Sequence, residues 1–409
     1  MLNFPAKKWF LISIFNFLIV AVIGAIMRYK IGFDFPYFDQ KNLQNGHSHF
    51  AFAGWLSQAI MLIMVGILLP YTGGRRFKTY NWILGLNLFT AYGMLLAFLA
   101  NGYNTVSIIF STASIIISLI FAFFYLKDLS GLKLISGKNW FIISFLFLLL
   151  STFGTVVLVY MMVVRDIHQE AYLSSIYWYL HFQYNGWFFF ACMGIIVHYM
   201  QSKLALPKMP DAVFWYFSLS CIPAFGLSVL WRELPILIYG SVALAAAGQF
   251  YAWIVLLLYF RKNQALTKLG NNLIAKIIFA FIATALTIKF TLQLCSVIPF
   301  VSTLAFGFRS IVIAYLHLVL IGIISMFLIT YAYTTKLLVV NKMTSIGISL
   351  FLASVIVYEL ALAIQGIASL SYTVIPKIDY ILVSFTALIV ASIAILFISQ
   401  IKYAGIRKI

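Results

Sequence analysis

Charged residues are scarce in this chain. Only 9% of its 409 residues are Asp, Glu, Lys or Arg, whereas 64% are hydrophobic. A soluble domain has about a quarter charged and about half apolar residues. This composition excludes a soluble enzyme, a disordered chain and a nucleic-acid-binding protein. The mean hydropathy of +1.04 favours a membrane protein and leaves open a transporter, a channel, an integral enzyme or a cofactor-binding protein.

Cysteine is also rare, with Cys192, Cys221 and Cys295 far apart in the sequence and each inside an apolar run. The chain has no CxxC and no CxxCH motif, so covalent c-type haem attachment and a zinc cluster both lack their ligands. We expect the three thiols to be buried and structural.

Runs of about 20 mostly apolar residues follow one another along the chain, with short polar breaks between them. The first run has a basic start but no small-residue cleavage site behind it, so we expect a helix and not a removed signal. The runs predict an all-α polytopic membrane protein of about twelve spans. They lie at residues 9–28, 46–70, 80–100, 104–126, 139–164, 174–200, 211–231, 234–260, 272–296, 309–334, 343–369 and 379–402.

The distribution of basic residues predicts the orientation of these spans. If the N-terminus is cytoplasmic, the termini and loops on that side hold 18 of the 27 basic residues, and the opposite loops hold 7. The cytoplasmic set is Lys7, Lys8, Arg75, Arg76, Lys78, Lys127, Lys133, Lys138, Lys203, Lys208, Arg261, Lys262, Lys268, Lys336, Lys342, Lys402, Arg407 and Lys408. The opposite set is Arg28, Lys30, Lys41, Arg165, Arg232, Arg309 and Lys377. Basic residues accumulate in cytoplasmic loops, so we expect an inner (plasma) membrane protein with both termini in the cytoplasm.

Three of the six histidines recur in one local sequence. His49, His181 and His317 lie near the starts of the second, sixth and tenth predicted spans, and each is followed five residues later by glycine. The spacings are 132 residues (49 to 181) and 136 residues (181 to 317), and each covers four spans. A fixed period of this kind indicates repeated structural units. We predict one transmembrane domain with three pseudo-symmetric four-helix arcs, at about residues 1–130, 131–265 and 266–409.

The predicted topology places these three histidines in the outer half of the bilayer. An ionisable side chain within a membrane is costly and is a functional candidate by default, and imidazole binds metals and haem iron. The alternative is a neutral histidine that hydrogen-bonds between helices. Residues two apart in a helix point about 200° apart, so His47 and His49 cannot bind one metal from one helix face.

Three four-helix arcs with histidine on the second and tenth helices resemble the haem-copper oxidase superfamily. That superfamily includes subunit I of cytochrome c and quinol oxidases, the nitric oxide reductases and the haem-copper protein NnrS. The resemblance implies that His49 and His317 are the axial ligands of a low-spin haem b, and that His181 stands at a copper-ligand position. It further implies that Arg232 and Arg309, at outer helix ends, contact haem propionates through their planar guanidinium groups.

The sequence departs from the catalytic members of that superfamily at two places. Tyr315 stands where the tenth helix normally carries the ligand of the high-spin haem, and the seventh span, 211–231, has no histidine where the superfamily has a copper-binding pair. Copper with one histidine ligand is poorly held. The resemblance therefore implies a haem b protein of the respiratory chain whose oxygen-reducing centre is degenerate or lost.

Two charged residues, Lys289 and Glu359, fall deep within the ninth and eleventh spans at similar predicted depth. They form either a buried ion pair or part of a proton relay.

Three functions follow from these patterns. The first is the haem b protein, which would receive electrons from quinol or another respiratory subunit because no soluble domain is present to dock cytochrome c. The second is an NnrS-like protein of the nitric oxide or metal stress response. The third is a transporter without a cofactor, which is less favoured because transporters more often have two inverted halves.

Overall fold

A computed structural model describes residues 5–132, 135–166 and 168–401. These residues form helices joined by turns and short loops, with no β-strand among them. The all-α prediction is therefore confirmed for the described chain. Four residues of the cytoplasmic set, namely Lys133, Lys402, Arg407 and Lys408, lie outside the described residues.

Twelve helical segments overlap the predicted spans in the described part of the chain, although the α-helix of the seventh covers only Asp211–Cys221 of the predicted 211–231. In order they are α1 (Ala6–Gly32), α2 (Gln40–Leu68), α3 (Phe77–Asn101), α4 (Thr105–Ser130), α5 (Lys138–Val164), α6 (169–202), α7 (Asp211–Cys221), α8 (Ile236–Lys262), α9 (Leu273–Cys295), α10 (Arg309–Thr334), α11 (Lys342–Leu370) and α12 (Ile378–Ile401).

Ten of these helices, within the described residues, are long and apolar enough to cross a membrane. The other two are α6 and α7. The α6 segment is continuously helical but rich in Tyr, Trp and amide side chains, and α7 has 11 residues before a turn of 3₁₀ helix at Pro223–Ser228. A short helix that the sequence analysis did not predict, Pro299–Gly307, precedes α10 and begins with proline in its first turn, where a missing N–H is tolerated.

The chain divides into two compact units. Unit 1 comprises Met1–Lys133, Ser325–Ala368 and Thr373–Ile409, and unit 2 comprises Leu134–Ile324 and Ser369–Tyr372. Within unit 1, α1 packs against α12, and α3 packs against both α2 and α4. Within unit 2, α5 packs against α6, and α8 packs against both α7 and α9.

Polar side chains set the starts of two helices in unit 1. The Asp39 carboxylate accepts the backbone N–H of Asn42, so α2 begins six residues earlier than its apolar run predicts. Asn104 and Ser107 form a reciprocal cap at the start of α4. Between α3 and α4, Gly102 adopts φ +62°, and a Cβ there would lie 2.4 Å from Asn42 Oδ1. Only glycine therefore fits this turn, which leads directly into Tyr103.

The three cysteines are free thiols in different environments. Cys221 is buried, Cys192 is half-buried and Cys295 is exposed. The expectation that all three are buried is thus wrong for Cys295, because its position near the C-terminal end of α9 faces outward although the surrounding sequence is apolar.

Candidate functional site

The three repeat histidines share a backbone feature. His181 and His317 each end an α-helical stretch and are followed at once by π-helical segments, Phe182–Phe188 and Leu318–Ser325. His49 lies two residues before a third such segment, Ala51–Ser57. π-helical turns are rare and occur frequently at functional sites. The repeat seen in the sequence thus has a counterpart in local structure, at the same distance from each histidine to within one residue.

His49 and His47 in unit 1 have separate partners. His49 Nε2 lies 3.1 Å from the Tyr103 hydroxyl, and its ring stacks on Phe98 with centroids 4.4 Å apart. His47 Nδ1 lies 3.1 Å from the backbone oxygen of Val20 on α1. The two rings therefore belong to different inter-helix spaces.

His181 in unit 2 is buried and hydrogen-bonded at both ring nitrogens. Its Nε2 lies 2.9 Å from the backbone oxygen of Cys221 on α7, and its Nδ1 lies 3.2 Å from Asn185 Nδ2. The backbone oxygen can only accept, so Nε2 carries the proton and donates it. Nδ1 is then the acceptor for the Asn185 amide.

This hydrogen bonding bears on the predicted copper position. A copper ion needs a lone pair of the imidazole, and the only lone pair of neutral His181 accepts from Asn185. In addition, the described residues contain no group of three or more His, Cys, Asp or Glu side chains that could hold a metal ion. The surroundings of His181 therefore do not fit copper.

His317, also in unit 2, is held by its own helix. Its Nδ1 lies 2.8 Å from the backbone oxygen of Ile313, one turn earlier in α10. A histidine that binds a metal through Nε2 usually donates its Nδ1–H to a carbonyl or carboxylate in this way, which fixes the tautomer. The geometry at His317 thus fits a haem ligand. Tyr315, two residues earlier, meets Tyr184 edge to face, with ring centroids 6.5 Å apart.

The geometry at His49 fits a haem ligand only if Nε2 is released from the Tyr103 hydroxyl. Coordination through Nε2 requires Tyr103 to give up its hydrogen bond, and Tyr103 is 48% exposed at the helix end.

The two arginines predicted to contact haem propionates, Arg232 and Arg309, have different surroundings. Arg232 lies 3.1 Å from the Glu170 carboxylate and donates to the Ser174 hydroxyl, so its guanidinium already has partners. Arg309 is exposed at the first position of α10.

Lys289 and Glu359 belong to unit 2 and unit 1 respectively, so their pairing stays a prediction. Lys289 is 3% exposed, and its Nζ donates to Gln293 Oε1 at 2.8 Å. One carboxylate oxygen of Glu359 is buried without a hydrogen-bond partner in the described chain.

Several side chains of these sites were missed in the sequence. Tyr103 follows a glycine turn, and nothing in its sequence indicates contact with His49. Asn185 and Gln293 could have been found, because each lies four residues after its partner, at the helical spacing that brings side chains together.

No protein-family model matches this chain, and no curated protein matches it significantly. The fold and the apolar helices together define the class of the protein, which is an all-helical, multi-pass membrane protein.

Proposed function

We propose that this chain is an integral membrane protein that binds haem b and takes part in respiratory electron transfer. The observation that carries the proposal is the threefold element of a histidine followed by a π-helical segment. Its support from the sequence is the resemblance to subunit I of the haem-copper oxidases. The proposed architecture is twelve spans in three arcs, with both termini in the cytoplasm.

The proposed haem ligands are His49 and His317, each argued from its own unit. His317 has its Nδ1 held by Ile313, which orients the ring for coordination through Nε2. His49 is steadied by stacking on Phe98. Two histidine ligands suit a low-spin haem that accepts and passes on single electrons. Quinol or another membrane subunit is the proposed electron donor.

The proposal leaves out an oxygen-reducing copper centre. His181 has both nitrogens engaged, and Tyr315 stands in place of the high-spin haem ligand. We therefore expect haem b without oxygen or nitric oxide consumption by the pure protein. Consumption of either gas would show that a catalytic centre remains.

The experiment is a reduced-minus-oxidised absorption spectrum of the full chain, purified from a haem-replete host. We expect the spectrum of a six-coordinate b-type haem. His49→Ala and His317→Ala should each abolish it, whereas His198→Ala, which changes a histidine outside the repeat on α6, should leave it unchanged. A colourless preparation of folded wild-type protein would contradict the proposal.

The topology has its own test. Single cysteines introduced at Lys78 and Lys377, in a background without native cysteines, should react with an impermeant thiol reagent from opposite sides of the membrane. Labelling of both from one side would show that the number of spans between them is wrong.

A further inference from the structure

Lys289 occupies an unusual position in unit 2. Its side chain is 3% exposed, in the C-terminal half of the apolar helix α9. Its Nζ donates one hydrogen bond, to Gln293 Oε1, and lies 4.3 Å from the centre of the Phe290 ring. An ammonium group carries three protons to donate. No carboxylate of unit 2 lies within ion-pairing distance among the described residues. The charge therefore depends on neutral groups.

A small cavity lies beside this lysine. Its polar lining consists of Lys289, Asn185 on α6 and Gln249 on α8, and the rest is phenylalanine. The two amides are 7% and 6% exposed, and neither Asn185 Oδ1 nor Gln249 Oε1 has a hydrogen-bond partner within the described residues. A buried oxygen without a partner costs about 1–3 kcal/mol. The cavity has room for about one water molecule.

The direction of the Asn185 amide is fixed by its neighbours. The Cys221 backbone oxygen accepts from His181 Nε2, which leaves His181 Nδ1 as an acceptor. Asn185 must therefore turn its NH₂ group toward His181. The Oδ1 atom of Asn185 then has no hydrogen-bond donor within the described residues.

Water fits this set of groups. One molecule can accept a hydrogen bond from Lys289 Nζ and donate one hydrogen bond each to the oxygens of Asn185 and Gln249. An anion would fit poorly, because it would leave both amide oxygens without donors and would face them in a water-free space.

We propose that this cavity is a proton-binding site within the membrane, where Lys289 exchanges a proton with one bound water molecule. In the charged state the Lys289 N–H points to the water. When that N–H bond breaks, the proton passes to the water oxygen and on to solvent, and the water turns to donate to the neutral amine. In the neutral state one water proton is donated to the amine and one to an amide oxygen, so the pocket holds both states but the second amide oxygen has a donor only in the charged state.

Few other titratable groups face this lysine. His181 from α6 and Cys221 from α7 interact electrostatically with it. The neighbouring helix α8 contributes Gln249, which is neutral. None of these groups is a proposed haem ligand, so the site can be tested separately from the proposed function.

The experiment uses the full chain with ¹³C,¹⁵N-lysine, reconstituted in lipid bilayers and studied by solid-state NMR between pH 5 and 10. Lys289→Arg keeps the charge and removes the lysine signal, which assigns it. Lys276→Arg, on the same helix, is the matched control. We expect the Lys289 Cε signal to titrate with its own midpoint and to show a cross-peak to water.

Gln249→Leu then removes one acceptor for the water. We expect this variant to lose the water cross-peak and to move the titration midpoint of Lys289, while the Lys276 signal stays the same. The proposal is overturned if the Lys289 signal is constant across this pH range in the folded protein. It is also overturned if wild-type Lys289 has no water contact, or if Gln249→Leu changes neither property.

Discussion

His181 and His317 occupy equivalent places in two repeats but differ in their surroundings. Each ends an α-helical stretch before a π-helical segment, and both lie in unit 2. His181 is buried and joins two helices, because it bonds Cys221 on α7 and Asn185 on its own helix. The described hydrogen bond of His317 runs to Ile313 in its own helix. The repeat therefore preserves a backbone arrangement, while the role of the imidazole differs.

The difference predicts opposite outcomes for haem binding, and this is the largest expected effect. His317→Ala should abolish the b-type absorption spectrum because it removes a proposed iron ligand. His181→Ala should keep the spectrum, since neither of its nitrogens is available to a metal. Absorption per mole of purified protein measures both. If His181→Ala alone lost the haem, the proposed ligand assignment would be wrong.

The two substitutions should affect folding stability in the opposite order, with the larger loss in His181→Ala. His181→Ala removes the donor to the Cys221 oxygen and the acceptor of the Asn185 amide, at roughly 1–3 kcal/mol for each buried bond. His317→Ala removes the bond to Ile313 within its own helix, and the loss of that bond should cost about 1 kcal/mol. Thermal unfolding of haem-free protein in detergent, followed by circular dichroism, measures the two changes. Equal losses would mean that the imidazole of His181 does not join α6 to α7.

Much of the fold could be predicted from the sequence because a membrane-spanning helix needs a long apolar run. Ten of the predicted spans correspond to helices of the described chain that are long and apolar enough to cross a membrane, whereas the α-helix in the seventh predicted span, 211–231, ends at Cys221. The start of α2 was misplaced because Asp39 extends the helix into a polar stretch. The short helix Pro299–Gly307 was missed because apolar periodicity does not distinguish a short helix from a loop.

The site was predicted less completely. Rarity singled out the histidines and Lys289, since an ionisable residue stands out in an apolar chain. Their partners depend on which helices pack together, and a single sequence does not contain that information. The carbonyl of Cys221 bonds His181 through its backbone, so no side-chain pattern could have indicated it.

The repeat glycines give a further comparison between the two histidine elements. A Cβ at Gly186 would lie 2.6 Å from the Cβ of buried Phe147 on α5, whereas a Cβ at Gly322 would meet atoms only at 3.6 Å or more. Gly186→Ala should therefore destabilise the protein by about 1–3 kcal/mol through overpacking. Gly322→Ala should be neutral or stabilise it by up to about 1 kcal/mol, since alanine favours a helix.

Thermal unfolding of the two glycine variants side by side provides the measurement. The same loss in both would show that the glycine five residues after each histidine is needed for the π-helical segment itself. A loss of stability in Gly186→Ala alone would show that Gly186 is needed for the packing of α5 against α6.

The smallest expected effect concerns His49, whose hydrogen bond to Tyr103 lies at an accessible helix end. Tyr103→Phe removes the hydroxyl but keeps the ring that meets Phe98 edge to face at 4.9 Å. The loss of one partly exposed hydrogen bond should cost less than about 1 kcal/mol. In the proposed site the hydroxyl would compete with iron for Nε2, so we expect haem affinity to stay equal or rise in a titration of haem-free protein. A large fall in affinity would instead mean that Tyr103 orients His49 for the haem.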